Sequence, residues 1–436
     1  MPLSPYRLKS LIVSFAAVTC IGSVPTSVFA SNTVADATTL DGKVMAGYQG
    51  WFRCPASQSD TGWSHWSANP NRIDPESIKF EIWPDMSAYP SSSRVVAPGF
   101  LDSFGNQCFL YSGVNAKVIE SQFTSMRDYD IDGIWLQRFI VNFPGQPVSV
   151  GGPAQDDVMA KVISTAGRTG RVWAISYDLA GAKGAPDVVF ALVADDWQKL
   201  VDQGTTAGPR YLHQNGLPVV SIWDFINDHS RPITPGLIQQ FVNYFHTSGK
   251  YRAYLVSGGD WNFAAEPPEW QAAFKGFDAY IPWNIGNVTG APNSSPAASM
   301  GWWKADKVRC EAEGVRWIPT IYPGFSWNHL LQITDQSRTS TIARRGGRFY
   351  WEQWRRLKQL DIKTVFIAMF DEVDEGTSID KNTNNPPVTY NGAPLPILPF
   401  VTYDGESSDW YLFLTQCGRK LLRGEISDTS DLPKRR

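Results

Sequence analysis

Residues 364–380 read TVFIAMFDEVDEGTSID, an apolar run that ends without a turn signal in Asp371, Glu372, Asp374 and Glu375. Carboxylates normally occupy helix faces and loop tips, so four of them at the mouth of a strand-like segment ask for a chemical reason. Glu372 and Glu375 stand three apart, and on a helix that spacing is usually no more than a solvated face. Here the pair follows an apolar strand and precedes Gly376-Thr377, which bend the chain. Two carboxyls on one such loop can lie several ångströms apart. One can then be held protonated to release a leaving group while the other stays ionised to work on the opposite face, the division of labour that breaks glycosidic bonds. Close approach itself pushes the two pKa values apart. Asp371 continues the strand and is expected to turn into structural hydrogen bonds.

Other chemistry-bearing residues fall at the ends of comparable apolar runs. Gln137 and Arg138 close one; Asp178 follows Tyr177, Asp224 follows Trp223, Asp260 precedes Trp261, and Asn284 follows Trp283. Each pair alone could be a strand-terminating cap. Together they suit a sugar crevice, in which carboxylates and amides take hydroxyls while aromatic planes take the flat C–H face of the ring. With Tyr48, Trp51, Tyr322 and Trp327 they form the expected substrate-binding set: Tyr48, Trp51, Gln137, Tyr177, Asp178, Trp223, Asp224, Asp260, Trp283, Asn284, Tyr322 and Trp327. His65 in TGWSHWS and His329 in SWNHL either touch substrate or cap loops; His213, His229 and His246 read as surface or packing residues.

The elements that must position these residues follow from patterning. Eight runs, at 43–52, 132–140, 171–179, 217–225, 253–261, 277–285, 316–324 and 364–372, are apolar throughout, as parallel strands buried on both faces are. Helical spacing fills the gaps: Ile119, Phe123 and Met126, and again Tyr350, Trp354 and Leu357. Thr234 and Pro235 open one helix, and Gly249, Gly204 and Gly314 stop three. Eight strands alternating with helices predict a single-domain (β/α)8 barrel over 43–425. Ahead of it lie residues 1–30 as a leader and 31–42 as an extension; 426–436 form a tail. A doubly wound open sheet is the runner-up, but no Gly-rich dinucleotide fingerprint follows the first strand. Two long insertions, 53–114 and 380–405, leave the C-terminal ends of the first and last strands, the face where barrel enzymes build sites.

Bulk properties narrow the partners. A net charge of −3 in 436 residues offers no basic face for nucleic acid or an anionic membrane. The 18 Trp, 16 Tyr and 23 Phe fit a Trp-rich core and sugar binding equally. Arg7 and Lys9, an apolar stretch from Leu11 to Val24, and Val28-Phe29-Ala30 spell a secretory leader cleaved after Ala30; the stretch is shorter than the ~20 residues a membrane span needs. Export permits disulfides, and Cys54 with Cys108 is the preferred pair, leaving Cys310 and Cys417 as buried helix thiols. No His/carboxylate cluster has ligand spacing, so neither metal nor cofactor is expected; without a G-x-S-x-G elbow a serine hydrolase is disfavoured. The sequons at 287–289 and 293–295 matter only in a eukaryotic source.

FDEVDEGT at 370–377 resembles the F-N/D-E-W-H-E-G-T strand-end motif of glycoside hydrolase family 99, the endo-α-mannosidases and mannanases. VMAGYQGWF at 44–52 is similar to the Tyr/Trp-rich first strand of that family and of the related family 71. The resemblance implies a (β/α)8 barrel that cleaves α-glycosidic bonds with retention; on a polysaccharide or oligosaccharide the insertions at 53–114 and 380–405 suit an extended cleft and endo action, the leader adds secretion, and a monomer is expected. It implies Glu372 as the base acting on the sugar's own 2-hydroxyl, through a 1,2-anhydro intermediate, and Glu375 as general acid and then base. In that role Glu375 should hold its proton well above the ~4.3 of a free glutamate. Val373-Asp374 stands where the family has Trp-His, so the substrate contacts of those two residues do not transfer.

Overall fold

The structure, a computed structural model, describes residues 33–55, 62–148, 151–228, 231–290, 296–335 and 340–435. The expected leader, His229 and the 293–295 sequon lie outside them. Eight parallel strands alternate with eight helices among the described residues. The strands are β1 Val44–Tyr48, β2 Gly133–Phe139, β3 Val172–Asp178, β4 Leu217–Phe225, β5 Tyr254–Asp260 and β6 Ala279–Trp283. β7 comes in two pieces, Arg316–Trp317 and Thr320–Ile321, and β8 is Val365–Ile367. Each is followed by its helix: α1 Ala116–Asp128, α2 Gly152–Thr169, α3 Pro186–Asp202, α4 Pro235–Thr247, α5 Pro268–Phe274, α6 Trp303–Ala312, α7 Arg348–Gln359 and α8 Trp410–Arg423.

β1 pairs with β2 on one side and β8 on the other, and the parallel ladder continues through β3, β4, β5 and β6. The first piece of β7 pairs with β6 and the second with β8, so the split strand closes the ring. Pro319 sits at the split and still accepts from the Phe366 N–H at 3.1 Å. The fold is therefore the (β/α)8 barrel that the strand count predicts.

Alternation along each strand sorts the core into two shells. Met45, Trp135, Val172, Ala174, Val219, Val256, Ile281 and Phe366 fill the barrel interior. Val44, Ala46, Tyr48, Trp173, Ile175, Tyr177, Val220 and Ile222 pack outward under the helices. Most tryptophan is core: Trp66, Trp135, Trp173, Trp197, Trp303, Trp351 and Trp354 are fully buried. Helix signals work locally as expected. Thr234 accepts from the Leu237 N–H at 3.1 Å with Pro235 at the first helical position.

The two insertions meet. Val95–Leu101 and Gln107–Leu110 from the first, and Thr389–Tyr390 and Ala393–Pro394 from the second, form one four-stranded antiparallel sheet. Phe52, Trp66, Phe80, Ile82, Trp83, Phe100 and Phe400 give it a separate hydrophobic core. The Cys54–Cys108 disulfide does not form: all four described cysteines are free and buried. Cys54 instead donates to the Tyr111 carbonyl at 3.1 Å, because both thiols serve as small apolar groups in that core. Residues 35–40 cross the lower end of the barrel, where Leu40 N–H donates to Gln214 at 2.6 Å. At the other terminus Thr429 accepts from the Trp351 indole at 3.1 Å, against α7.

Candidate active site

Beyond β8 the chain crosses the barrel mouth. Asp371 turns back toward β1, where its two oxygens accept the Gln49 and Gly50 N–H groups at 2.8 Å each. That is the structural role expected of it. Glu372 Oε1 accepts from Gln49 Nε2 at 2.7 Å. Val373 faces the other way, buried in the insertion core, and its carbonyl accepts the Glu81 N–H at 2.8 Å. Asp374 returns to the crevice, with Oδ2 3.8 Å from His65 Nδ1. The Glu375 carbonyl accepts from Ser326 N–H at 2.9 Å, and the Trp327 side chain lies beside its carboxyl, opposing the rise in its pKa. Gly376, at φ 65, supplies the left-handed turn that the bend after Glu375 requires.

Burial is the main reason these carboxyls hold protons, and at the two glutamates neighbouring acids add to it. Burial, then the charge of Glu375, then Asp374, Asp371 and Asp178, hold the Glu372 carboxyl well above the ordinary range. Burial and Asp374 push Glu375 up to about 8 against the opposing Trp327 side chain. Burial lifts Asp374 and Asp178 to about 7. Glu372 and Glu375 therefore share protons as a pair and titrate in joint steps.

Alternation decides which other expected residues reach them, because neighbours on a strand point to opposite faces. Asp178 is inward and electrostatically close to both glutamates. Gln137 is inward and buried, its Oε1 without a partner. Trp223 and Trp283 meet edge to face at 5.2 Å over the interior. Trp327 is exposed at the rim. Trp51 is covered on both faces, stacked on His65 at 3.9 Å and on Phe139 at 4.9 Å. Asn284 is fully buried with both amide atoms unpartnered.

Five expected residues are engaged elsewhere. The Tyr48 hydroxyl donates to Gln122 on α1 at 2.5 Å, and the Tyr177 hydroxyl to Asp196 on α3 at 2.8 Å; both lie in the outer shell. The Tyr322 hydroxyl donates to the Asn287 carbonyl at 3.1 Å. Asp224, at φ 87 where the β4–β5 register shifts, is sealed in an ion pair with Arg231. Asp260 accepts the Asn262 N–H at 2.7 Å and caps its own turn.

The barrel has counterparts among known proteins. No protein-family model matches the chain. It is 23% identical over 344 residues to the human glycoprotein endo-alpha-1,2-mannosidase-like protein, covering 77% of this chain and 67% of that one. The mouse protein of the same description is 23% identical over 378 residues, 85% of this chain and 74% of that one. Among solved structures, the GH99 endo-alpha-mannosidase from Bacteroides thetaiotaomicron superposes with a TM-score of 0.61 at 16% identity, over 88% of this chain and 99% of that one. At that identity the likeness is one of fold: the chain shares the barrel of that enzyme. A second structure of that bacterial enzyme, in complex with Bis-Tris-propane, gives 0.58 at 16% identity over 89% and 99%.

Three supporting residues were not anticipated. Gln49 holds Glu372, and its inward position follows from Tyr48 pointing outward. Arg344 is buried under the acidic loop. It donates to the Gly376 and Ser378 carbonyls at 2.8 Å each and lies 4.5 Å over the Tyr411 ring. Glu81, fully buried, accepts from Ser326 Oγ at 2.7 Å and His329 N–H at 2.5 Å. His329 is itself a loop strut, both ring nitrogens lying 2.8 Å from the carbonyls of Phe80 and Leu398.

Proposed function

We propose that this protein is a secreted glycoside hydrolase that cleaves α-linked mannose-containing polysaccharide or oligosaccharide within the chain and with retention. One observation carries the reading: Glu372, buried, and Glu375, half-buried beside it, sit at the mouth of a family 99-like barrel, with Trp327 next to Glu375 and Trp223 and Trp283 meeting at the inward ends of β4 and β6. Glu375, protonated, gives its proton to the glycosidic oxygen as the bond to the anomeric carbon breaks. With the pair's shared proton on Glu375, whose charge no longer opposes it, Glu372 is the ionised member, steadied by Gln49; it takes the proton of the sugar's 2-hydroxyl, whose oxygen closes on the anomeric carbon as a 1,2-anhydro ring. Glu375, now ionised, draws a proton from water as the water oxygen opens that ring, and Glu372 returns its proton to the 2-oxygen. Configuration is retained after two inversions. Gln137, Asp178, Asn284 and the three tryptophans line the path of the sugar. The mannose assignment draws on the names of the similar proteins, and export on the leader at 1–30.

The deciding experiment incubates the protein with α-mannan, α-glucan and arabinan and measures new reducing ends, beside binding assays on the same glycans. Product from α-mannan, lost on Glu372→Gln or Glu375→Gln with folding intact, supports the reading. Binding without product on any glycan overturns it in favour of a carbohydrate-binding barrel, the alternative that Val373-Asp374 motivates.

A further inference from the structure

His65 and Asp374 come together from opposite ends of the chain, and the proposed reaction uses neither. His65 has φ 64, a left-handed conformation that residues with side chains rarely adopt and that a fold maintains only where its surroundings impose it. Held so, its ring lies flat on Trp51, 3.9 Å away with planes 13° apart, and Phe139 backs the other face of Trp51 at 4.9 Å. The plane of the imidazole is thereby fixed and its edge aimed. That edge faces Asp374, with Nδ1 3.8 Å from Oδ2.

The gap is too long for a direct hydrogen bond and leaves both groups free to bond one further oxygen placed beside the pair. Asp374 is 6% exposed and its Oδ1 has no hydrogen-bond partner, a costly state for a buried carboxyl left unsatisfied. The two side chains differ in access: His65 is 34% exposed and Asp374 8%, so an incoming group meets the imidazole first. Partial burial against Trp51, reinforced by the charges of Lys79 and Arg53, lowers the His65 pKa and keeps the ring neutral, with one donor and one acceptor. A hydroxyl, which donates and accepts at once, matches such a pair. Asp374 also acts electrostatically on both Glu372 and Glu375, so whatever bridges the gap belongs to a sugar at or next to the scissile bond.

We propose that His65 and Asp374, floored by Trp51, form a hydroxyl-reading subsite beside the two glutamates that sets which sugar the crevice accepts. The inference rests on the glycosidase reading above. The test uses the full chain with two probes, α-1,2-linked mannobiose and α-1,2-linked glucobiose, for affinity in the Glu375→Gln background, and α-mannan for turnover in the otherwise wild-type protein. Removing one side of the bridge in His65→Ala should raise KM about tenfold, with kcat within about threefold, and narrow the discrimination between the disaccharides by a similar factor. His65→Gln, which keeps a donor and an acceptor, should restore most of both. Unchanged KM and discrimination in His65→Ala overturn the subsite while leaving the hydrolase reading intact. A joint fall of kcat and Tm without rescue by glutamine shows a structural histidine and overturns it equally. No cleavage of α-mannan by wild type, with no binding of either disaccharide, overturns both.

Discussion

The side-chain amide of Gln49 donates to Glu372 Oε1 at 2.7 Å, so the residue just past the first strand steadies the first glutamate past the eighth. Its donor favours the ionised carboxylate, the form a base needs. Gln49→Leu should lower kcat by about 10- to 100-fold, the range for a hydrogen bond to a charged group, with KM little changed. The acidic limb of the pH profile should move to higher pH, because Glu372 loses a group that favours its charge. An unchanged profile means that Gln49 only packs there.

The acid function proposed for Glu375 requires its proton. With its carboxyl raised to about 8, activity should fall as pH rises through that region. Glu375→Gln should cost about 10²–10⁴-fold on α-mannan and far less on an aryl α-mannoside whose phenol leaves without protonation. A basic limb that persists in Glu375→Gln assigns the limb to another group.

The same burial has a thermodynamic side. Asp371 and Asp374 rise from 3.8 to about 7, and Glu375 from 4.5 to about 8. In that window the folded protein binds more protons than the unfolded chain. The stability contributed is fully present below the ordinary carboxylate values and is lost as pH rises through the folded ones. Calorimetry at constant ionic strength should give a higher Tm at pH 5 than at pH 8. Glu375→Gln should flatten the slope and raise Tm at pH 8 by a few degrees, a gain bought with activity.

Arg344 tests how the acidic loop is held. Arg344→Met keeps the apolar stem against Tyr403 and Tyr411 but loses two charge-assisted bonds to carbonyls at 376 and 378. Turnover should fall by about tenfold or more while the reducing-end product stays the same. Full activity in this variant shows that the loop finds its shape without the guanidinium.

The barrel was legible because its strands are apolar on both faces, because Thr234 caps a helix start with its side chain, and because Gly204 and Gly314 close helices at positive φ. The acidic loop was legible because charge after a buried strand is rare. What failed was orientation. The aromatic–acid pairs were read as acting together, yet Tyr177 and Asp178 are neighbours on a strand and must face opposite shells. Alternation alone would have placed Gln49, Asp178 and Trp223 inside and Tyr48 outside. Asp224 breaks that rule through a positive φ and a register shift that leave no pattern in sequence. The insertion sheet was hidden because pieces as short as Thr389–Tyr390 and Ala393–Pro394 carry no period. Arg344 reaches the site from the segment between β7 and α7, where one arginine among several announces nothing.

Val373 belongs to the core of the insertion sheet although its neighbours on both sides are acids of the crevice, and its carbonyl is tied to Glu81. The wall that would shape a glycan and the glutamates that would cut it are therefore one mechanical body. An engineer who grafts a foreign first insertion to change substrate range would shift Val373, and with it the spacing of Glu372 and Glu375. Specificity and rate in this barrel should move together under loop exchange, and a successful graft would have to carry both insertions and the 370–378 segment as a single cassette.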